Sequence, residues 1–301
     1  MGVSEELKEK VATSIQRLKA FEPPEGYHLA FSGGKDSCVI KALADMAGVK
    51  YNAVYRVTGI DPPELVQFIK KHHPYVRMEF PRYPDGKRVT MWNLIEKKKM
   101  PPTRILRYCC KFLKEDSGDG RMTITGVRWA ESTNRKNNQG LVTVMSAGRK
   151  IKKETGLIDN PDFTLTDRGW VVLVNDNDES RRMVESCYKR HKTALNPIIE
   201  WTDDDVWEFL RGYNIPYCSL YDEGFKRIGC IGCPMARTHG REREFLRYPK
   251  YKDLYIKAFG KMLEARKSNG LPTRWQTGID VFNWWMEYDI LPGQMDLFEE
   301  D

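Results

Sequence analysis

The chain has 301 residues, 41% of them hydrophobic and 11% aromatic, enough to build a buried core and too many for extensive disorder. Lys plus Arg outnumber Asp plus Glu by 49 to 42, a net charge of +7 that favours polyanionic ligands without choosing between nucleotide and nucleic acid. No run of about 18 apolar residues occurs and the first ten residues are charged, so a cytoplasmic protein with no membrane partner is expected.

Leu7, Val11, Ile15 and Leu18 recur at helical spacing and predict an amphipathic helix. An apolar strand over residues 27–31 follows, then Ser32-Gly33-Gly34-Lys35-Asp36-Ser37, which opens a helix over residues 38–46. Two glycines let the backbone turn so that successive N–H groups and a helix start can face one anion, with Lys35 adding a full charge. That pattern is a phosphate cradle. It lacks the Gly-x-x-x-x-Gly-Lys spacing of a Walker A loop.

Further strands are expected over residues 51–57, 76–80 and 122–127, with a helix from Pro63 between the first two. Strands alternating with helices predict an α/β fold, a parallel sheet with ligands at the carboxyl ends of its strands. The last of these strands delivers Arg128 to that edge. Residues 136–194 carry short alternating pieces, a basic cluster (Arg149, Lys150, Lys152, Lys153) and turns, and predict a β-rich insertion. Thr202 begins a helix with Asp203, Asp204 and Asp205 in its first turn, and beyond Pro234 the chain reads as mostly helical. The expected domains are residues 1–200, which bind nucleotide, and residues 201–301.

Cys109-Cys110 and Cys230-x-x-Cys233 put four of the seven cysteines in two tight groups. Side chains of adjacent residues diverge, so a tandem pair serves a multi-iron cluster more easily than one tetrahedral zinc. A 4Fe-4S cluster is the expectation; zinc and inert buried thiols are the alternatives.

The loop at residues 32–37 resembles the pyrophosphate-binding loop of ATP pyrophosphatases. More widely, the chain resembles the phosphoadenosine phosphosulfate reductase family, of adenine nucleotide α-hydrolase-like fold. The matching pieces are that loop, Thr58-Gly59 with Pro63-Glu64, Arg107-Tyr108-Cys109-Cys110, Gly126-Val127-Arg128 with Glu131, Ser132 and Arg135, Asn196-Pro197 through Trp201, Asp205-Val206-Trp207, Leu220-Tyr221 and Gly229-Cys230. The resemblance implies ATP contacts from Ser32, Gly33, Gly34, Lys35, Asp36, Ser37, Thr58, Gly59 and Gly126. It also implies a 4Fe-4S cluster on Cys109, Cys110, Cys230 and Cys233.

Three departures bear on activity. No cysteine follows Cys233, the phosphate loop is intact where sulfonucleotide reductases carry a degenerate one, and Val57 stands where an Asp usually precedes Thr-Gly. Together these resemble the sulfur-inserting, Dnd-type DNA phosphorothioation branch. The implied reaction adenylates an acceptor oxygen with release of pyrophosphate, after which sulfur expels AMP. Lys35, Asp36, Ser37, Arg128, Arg135 and Mg²⁺ are the expected catalytic groups. Reduction of adenylylsulfate or phosphoadenylylsulfate to sulfite is the alternative within the family, and non-catalytic nucleic-acid binding the alternative outside it.

Four cysteines would fill a cubane, so either one of Cys109 and Cys110 is not a ligand, or sulfur comes as a persulfide on Cys38, Cys187, Cys218 or a partner such as a cysteine desulfurase, with Cys187 and Cys218 the better reactive candidates. Arg237, Arg241, Arg243, Arg247, Lys250, Lys252 and Lys257 interleave with Phe245, Tyr248, Tyr251 and Tyr255. That mix suits DNA or RNA as well as it suits a charged face over an aromatic core. Gln294-Met295-Asp296-Leu297-Phe298 resembles the peptide by which bacterial DNA-processing proteins dock on the sliding clamp.

Overall fold

The computed structural model describes residues 2–115, 120–145 and 157–288. The basic cluster Arg149, Lys150, Lys152 and Lys153 and the tail Gln294-Met295-Asp296-Leu297-Phe298 lie outside the described residues. Two compact units form. The first is Met1–Arg56, Pro63–Glu79 and Asp116–Ile228; the second is Val57–Pro62, Phe80–Glu115 and Gly229–Asp301. The division expected at residue 200 falls near 229 instead, and the helical unit takes up two earlier segments. Burial decides this: Ile60, Ile95, Cys109 and Leu113 share one apolar core with Phe259 and Trp285.

In the first unit, β1 (Tyr27–Ala30), β2 (Tyr51–Arg56), β3 (Arg77–Glu79), β4 (Thr123–Ile124), β5 (Val142–Val144), β6 (Phe163–Leu165), β7 (Val171–Leu173) and β8 (Thr193–Leu195) form one sheet. Its order is β3-β2-β1-β4-β8-β5-β7-β6. Pairing is parallel from β3 through β8, with Tyr27 opposite Tyr51 and Ile124 opposite Leu195. It is antiparallel through β5, β7 and β6. The residues expected as an insertion are β-rich, and their strands extend the main sheet because β5 pairs with β8. The same stretch also holds the helix Asp178–Tyr188.

Tyr27 and Leu29 on β1 are fully buried, as parallel strands covered on both faces require. The helix Lys35–Ala47 buries Val39, Ile40 and Leu43 and stops at Gly48, whose φ of 68° no β-carbon opposes. The N-terminal helix Glu5–Ala20, capped by Ser4, buries Leu7, Val11 and Leu18. Ser14 takes an inward place there, with its hydroxyl donating to the Lys10 and Pro197 carbonyls.

The second unit is built on the helices Met91–Lys98, Thr238–Arg247, Pro249–Ser268 and Gly278–Trp285. Trp285 lies 4.8 Å from the Tyr255 ring and 5.4 Å from Phe259, while Phe245 meets Phe282 at 5.3 Å. Two buried aromatic polar tips are satisfied by backbone: Tyr255 donates to the Ile231 carbonyl and the Trp285 indole to the Pro102 carbonyl. No helix among the described residues is long and apolar enough to cross a membrane.

His73 packs in the first unit against Phe31 at 4.7 Å and Phe68 at 5.2 Å. Burial, aided by Lys41 and His72 and weakly opposed by Asp45, lowers its imidazole to about 4. The folded value lies below the unfolded one, so the stabilising contribution is complete above pH 6.5 and is lost as pH falls from there towards 4. Unfolding free energies from denaturant titrations across that window should fall by up to about 1.4 kcal/mol per pH unit from this group. His73→Phe should flatten that slope.

Candidate functional site

In the first unit, strand order reverses at β1: β2 and β3 lie on one side and β4 on the other. The carboxyl ends of β1 and β4 therefore open the crevice where open α/β sheets bind ligands. Ser32 to Lys35 leave β1 at that point, and Gly126 to Arg128 follow β4. Gly33 turns the chain at φ +74°, and a β-carbon there would come within 2.8 Å of Ile69 and Leu65. Gly34 is the N-cap of the helix from Lys35 and offers no side chain to its first amides. The Lys35 amide donates to the Tyr221 hydroxyl at 2.9 Å, and the Gly34 amide to the Ser32 hydroxyl at 3.3 Å. Burial keeps Tyr221 protonated by raising its phenol. Ser37 donates to the Gly34 carbonyl at 2.8 Å and lies 3.2 Å from the Ser32 hydroxyl.

Four charges interlock beside this loop. The Lys35 Nζ lies 2.6 Å from the Asp203 Oδ1 and 3.5 Å from the Asp36 Oδ1. Arg128 donates through Nε to the Asp36 Oδ1 at 2.7 Å and through a terminal nitrogen to the Asp203 Oδ1 at 2.6 Å. Its other terminal nitrogen donates to the Trp201 carbonyl at 3.2 Å. Lys35, then Arg128, hold the Asp203 carboxyl below the usual carboxylate range, although burial opposes them. Burial also opposes the Arg128 charge, yet Asp36 and Asp203 keep that guanidinium above its ordinary value.

Arg128 is 1% exposed. The sequence places it at the substrate phosphate, whereas all its nitrogens are committed within the protein, so it positions Asp36 and Asp203. Arg135 pairs with Glu131, which also accepts from the Arg128 amide at 3.0 Å. Asp203 went unnoticed as a site residue. Only Asp205 is needed for the capping box with Thr202, and a surplus acid on that turn was the available signal.

Gly126 has an ordinary φ, and its value lies in closeness. A β-carbon there would stand 2.8 Å from the Asp36 Cβ and 2.9 Å from its carbonyl carbon and oxygen. Gly126→Ala should therefore displace the start of the helix from Lys35, costing about 1–3 kcal/mol of stability. Denaturant unfolding checks this; the expected result is a lower midpoint.

Thr58 and Gly59, expected at the nucleotide, belong to the second unit. The Thr58 hydroxyl donates to the Asp61 Oδ2 at 2.7 Å, and the Cys230 Sγ lies 3.9 Å from the Thr58 hydroxyl and 3.6 Å from the Asp61 Oδ1. This groups Thr58 with the thiols. Gly232, at φ +69°, lets the Cys230–Cys233 turn lie on the aromatic core, since a β-carbon would meet Phe245 at 2.6 Å. Cys109 sits on a single helical turn, Tyr108–Cys110. Its thiol is raised by Cys110 first, by burial next, and by Cys230 and Cys233 in addition, so all four thiols share one electrostatic neighbourhood. Burial pushes Cys230 up to about 12, with Lys114 acting against it. Among the described residues, no three His, Cys, Asp or Glu side chains gather closely enough to hold a single metal ion.

Two expectations change. Cys187 and Cys218, read as accessible sulfur carriers, are both fully buried. Of the basic and aromatic interleaving, Phe245 and Tyr255 are core residues, and Arg241 is buried with its guanidinium on the Trp285 carbonyl at 2.7 Å. Arg243, Arg247, Lys250, Lys252 and Lys257 remain exposed.

Residues 26–236 match the phosphoadenosine phosphosulfate reductase domain family. The chain belongs to that family. Two uncharacterized proteins of Methanocaldococcus jannaschii are 27% and 24% identical to it, over 88% and 72% of this chain. The chain spans only 54% and 38% of their lengths. An adenosine 5'-phosphosulfate reductase of Oceanobacillus iheyensis is 54% identical over 58 residues, 19% of this chain and 20% of that protein. Among solved structures, the phosphoadenylyl-sulfate reductase of Candida auris is 15% identical over 76% of this chain and 97% of its own, with a TM-score of 0.40.

Proposed function

We propose that this family member is an ATP-cleaving sulfur-transfer enzyme. An acceptor oxygen on a nucleic acid or nucleotide-like substrate attacks the α-phosphorus of ATP, and the bond to the β-phosphate breaks. Pyrophosphate leaves into the loop, and hydrosulfide then attacks the activated centre, forming the bond to sulfur as the bond to the adenylated oxygen breaks and that oxygen leaves in AMP. The observation that carries this reading is the cradle itself: a left-handed Gly33, an uncapped helix start at Gly34 and the Lys35 ammonium at the crevice between β1 and β4. Such a cradle answers the negative charge that develops on a departing pyrophosphate. Asp36 and Ser37, on the first turn, are the groups that would orient Mg²⁺ and the phosphates.

Cys109, Cys110, Cys230 and Cys233 are the residues that would hold a 4Fe-4S cluster. The donor set fits by its chemistry: Cys109, whose thiol is raised by Cys110 and by burial, and Cys230, raised by burial, lose that penalty when a cationic centre takes their protons' place. A bound cluster would supply one-electron chemistry and tie together two separate chain segments. Thr58 and Asp61 orient the Cys230 sulfur, and the exposed basic face of residues 243–257 is suited to a DNA or RNA acceptor.

Reduction of adenosine 5'-phosphosulfate is the second reading, favoured by the local identity to reductases so named. The test is anaerobic purification with iron and sulfide analysis, followed by incubation with labelled ATP, a sulfide donor and DNA or RNA. AMP, pyrophosphate and a thio-modified acceptor are expected. Sulfite released from adenylylsulfate without ATP consumption would overturn the proposal in favour of the second reading.

A further inference from the structure

We infer that Asp203 is an internal anion that holds Lys35 until a polyphosphate takes its place, and that it thereby holds down the cradle's affinity for that ligand. The inference rests on the reading that residues 32–37 receive a polyphosphate. Three donors facing that position are each bonded to an oxygen of the chain itself. The Gly34 amide is on Ser32, the Lys35 amide on Tyr221, and the Lys35 Nζ on Asp203 at 2.6 Å. The first two acceptors are neutral hydroxyls. Asp203 is charged.

Of the two cations on the Asp203 Oδ1, one is fixed and one can leave. Arg128 is 1% exposed with its nitrogens on Asp36, Asp203 and Trp201. Lys35 is a compact charge on a flexible stem. The Asp203 side chain is 69% exposed on the first turn of its helix, so an arriving ligand reaches it. Lys35 and Arg128 together balance Asp36 and Asp203, and this closed set offers no net positive charge to an incoming anion. A ligand therefore gains Lys35 only by exchange, after which Asp203, kept in place by Arg128, faces it as a like charge. The exchange weakens the hold on any anion, and the repulsion from Asp203 weakens the more highly charged pyrophosphate by more than phosphate.

Calorimetric titration of the full chain with inorganic pyrophosphate and with inorganic phosphate, each in EDTA and in Mg²⁺, tests this. Asp203→Asn should tighten pyrophosphate about fivefold in EDTA and phosphate by less. Asp204→Asn removes the same charge from the same turn outside the four-residue network, and should change either by less than about twofold. Asp203→Ser, which also suits a helix start, repeats the measurement should the amide variant melt early. Pyrophosphate binding in EDTA that is unchanged or weaker in both Asp203 variants would overturn the inference. So would a loss seen only with Mg²⁺, which would make Asp203 a cation ligand. Absence of pyrophosphate binding by the unsubstituted protein in either buffer would instead overturn the polyphosphate reading on which the inference stands.

Discussion

Arg128→Ala is expected to lower stability by about 3 kcal/mol and to abolish ATP turnover at the same time. The guanidinium is 1% exposed and makes charged hydrogen bonds to Asp36 and Asp203 and a third bond to Trp201. Its removal leaves two carboxylates close together around a cavity, with Lys35 alone to answer both. The loss should sit at the low end of the range for broken buried pairs, because Asp203 can turn towards water. Arg128→Lys should recover part of the stability and little of the turnover, since one ammonium cannot hold Asp36 and Asp203 at once and still reach Trp201. Denaturant unfolding and release of pyrophosphate, measured on the same preparations, check both halves. A variant that unfolds at the unsubstituted midpoint would show that the fork carries no structural weight.

Lys35→Ala should separate what Arg128→Ala combines. Asp203 keeps its bond to Arg128 when Lys35 is gone, so stability should fall by only about 1 kcal/mol. Turnover should fall by about 10²–10³-fold, the usual cost of removing one donor from developing negative charge. If the Lys35 charge acts mainly on the departing pyrophosphate, the loss lies in kcat more than in KM. A fall confined to KM would assign Lys35 to ground-state binding instead.

Much of the first unit was legible in the sequence. The strands at β1, β2, β3 and β4, the helix starts at Lys35, Pro63 and Thr202, and the cradle all fall within a few residues of where apolar runs, Pro and Gly place them. These are local signals, set by backbone sterics and by the period of burial. The chain's division into units was not legible, because Val57–Pro62 and Phe80–Glu115 join the helical core through contacts with residues more than a hundred positions away. The same cause groups Thr58 with Cys230. Arg128 read as a phosphate fork because arginine after a strand at a carboxyl edge usually meets solvent. Its partners are Asp36 and Asp203, 92 and 75 residues distant.

Residue types and short spacings alone determined the α/β class, the glycine turn at Ser32 to Ser37 and the two cysteine pairs, because these depend on conformations and chemistry available within a few residues. Tertiary structure alone decided which carboxylates Lys35 and Arg128 pair with, which cysteines are buried, and which aromatic residues are core. Those outcomes depend on burial and on charges brought together from distant positions, and no local pattern encodes the partner that a side chain meets across the fold.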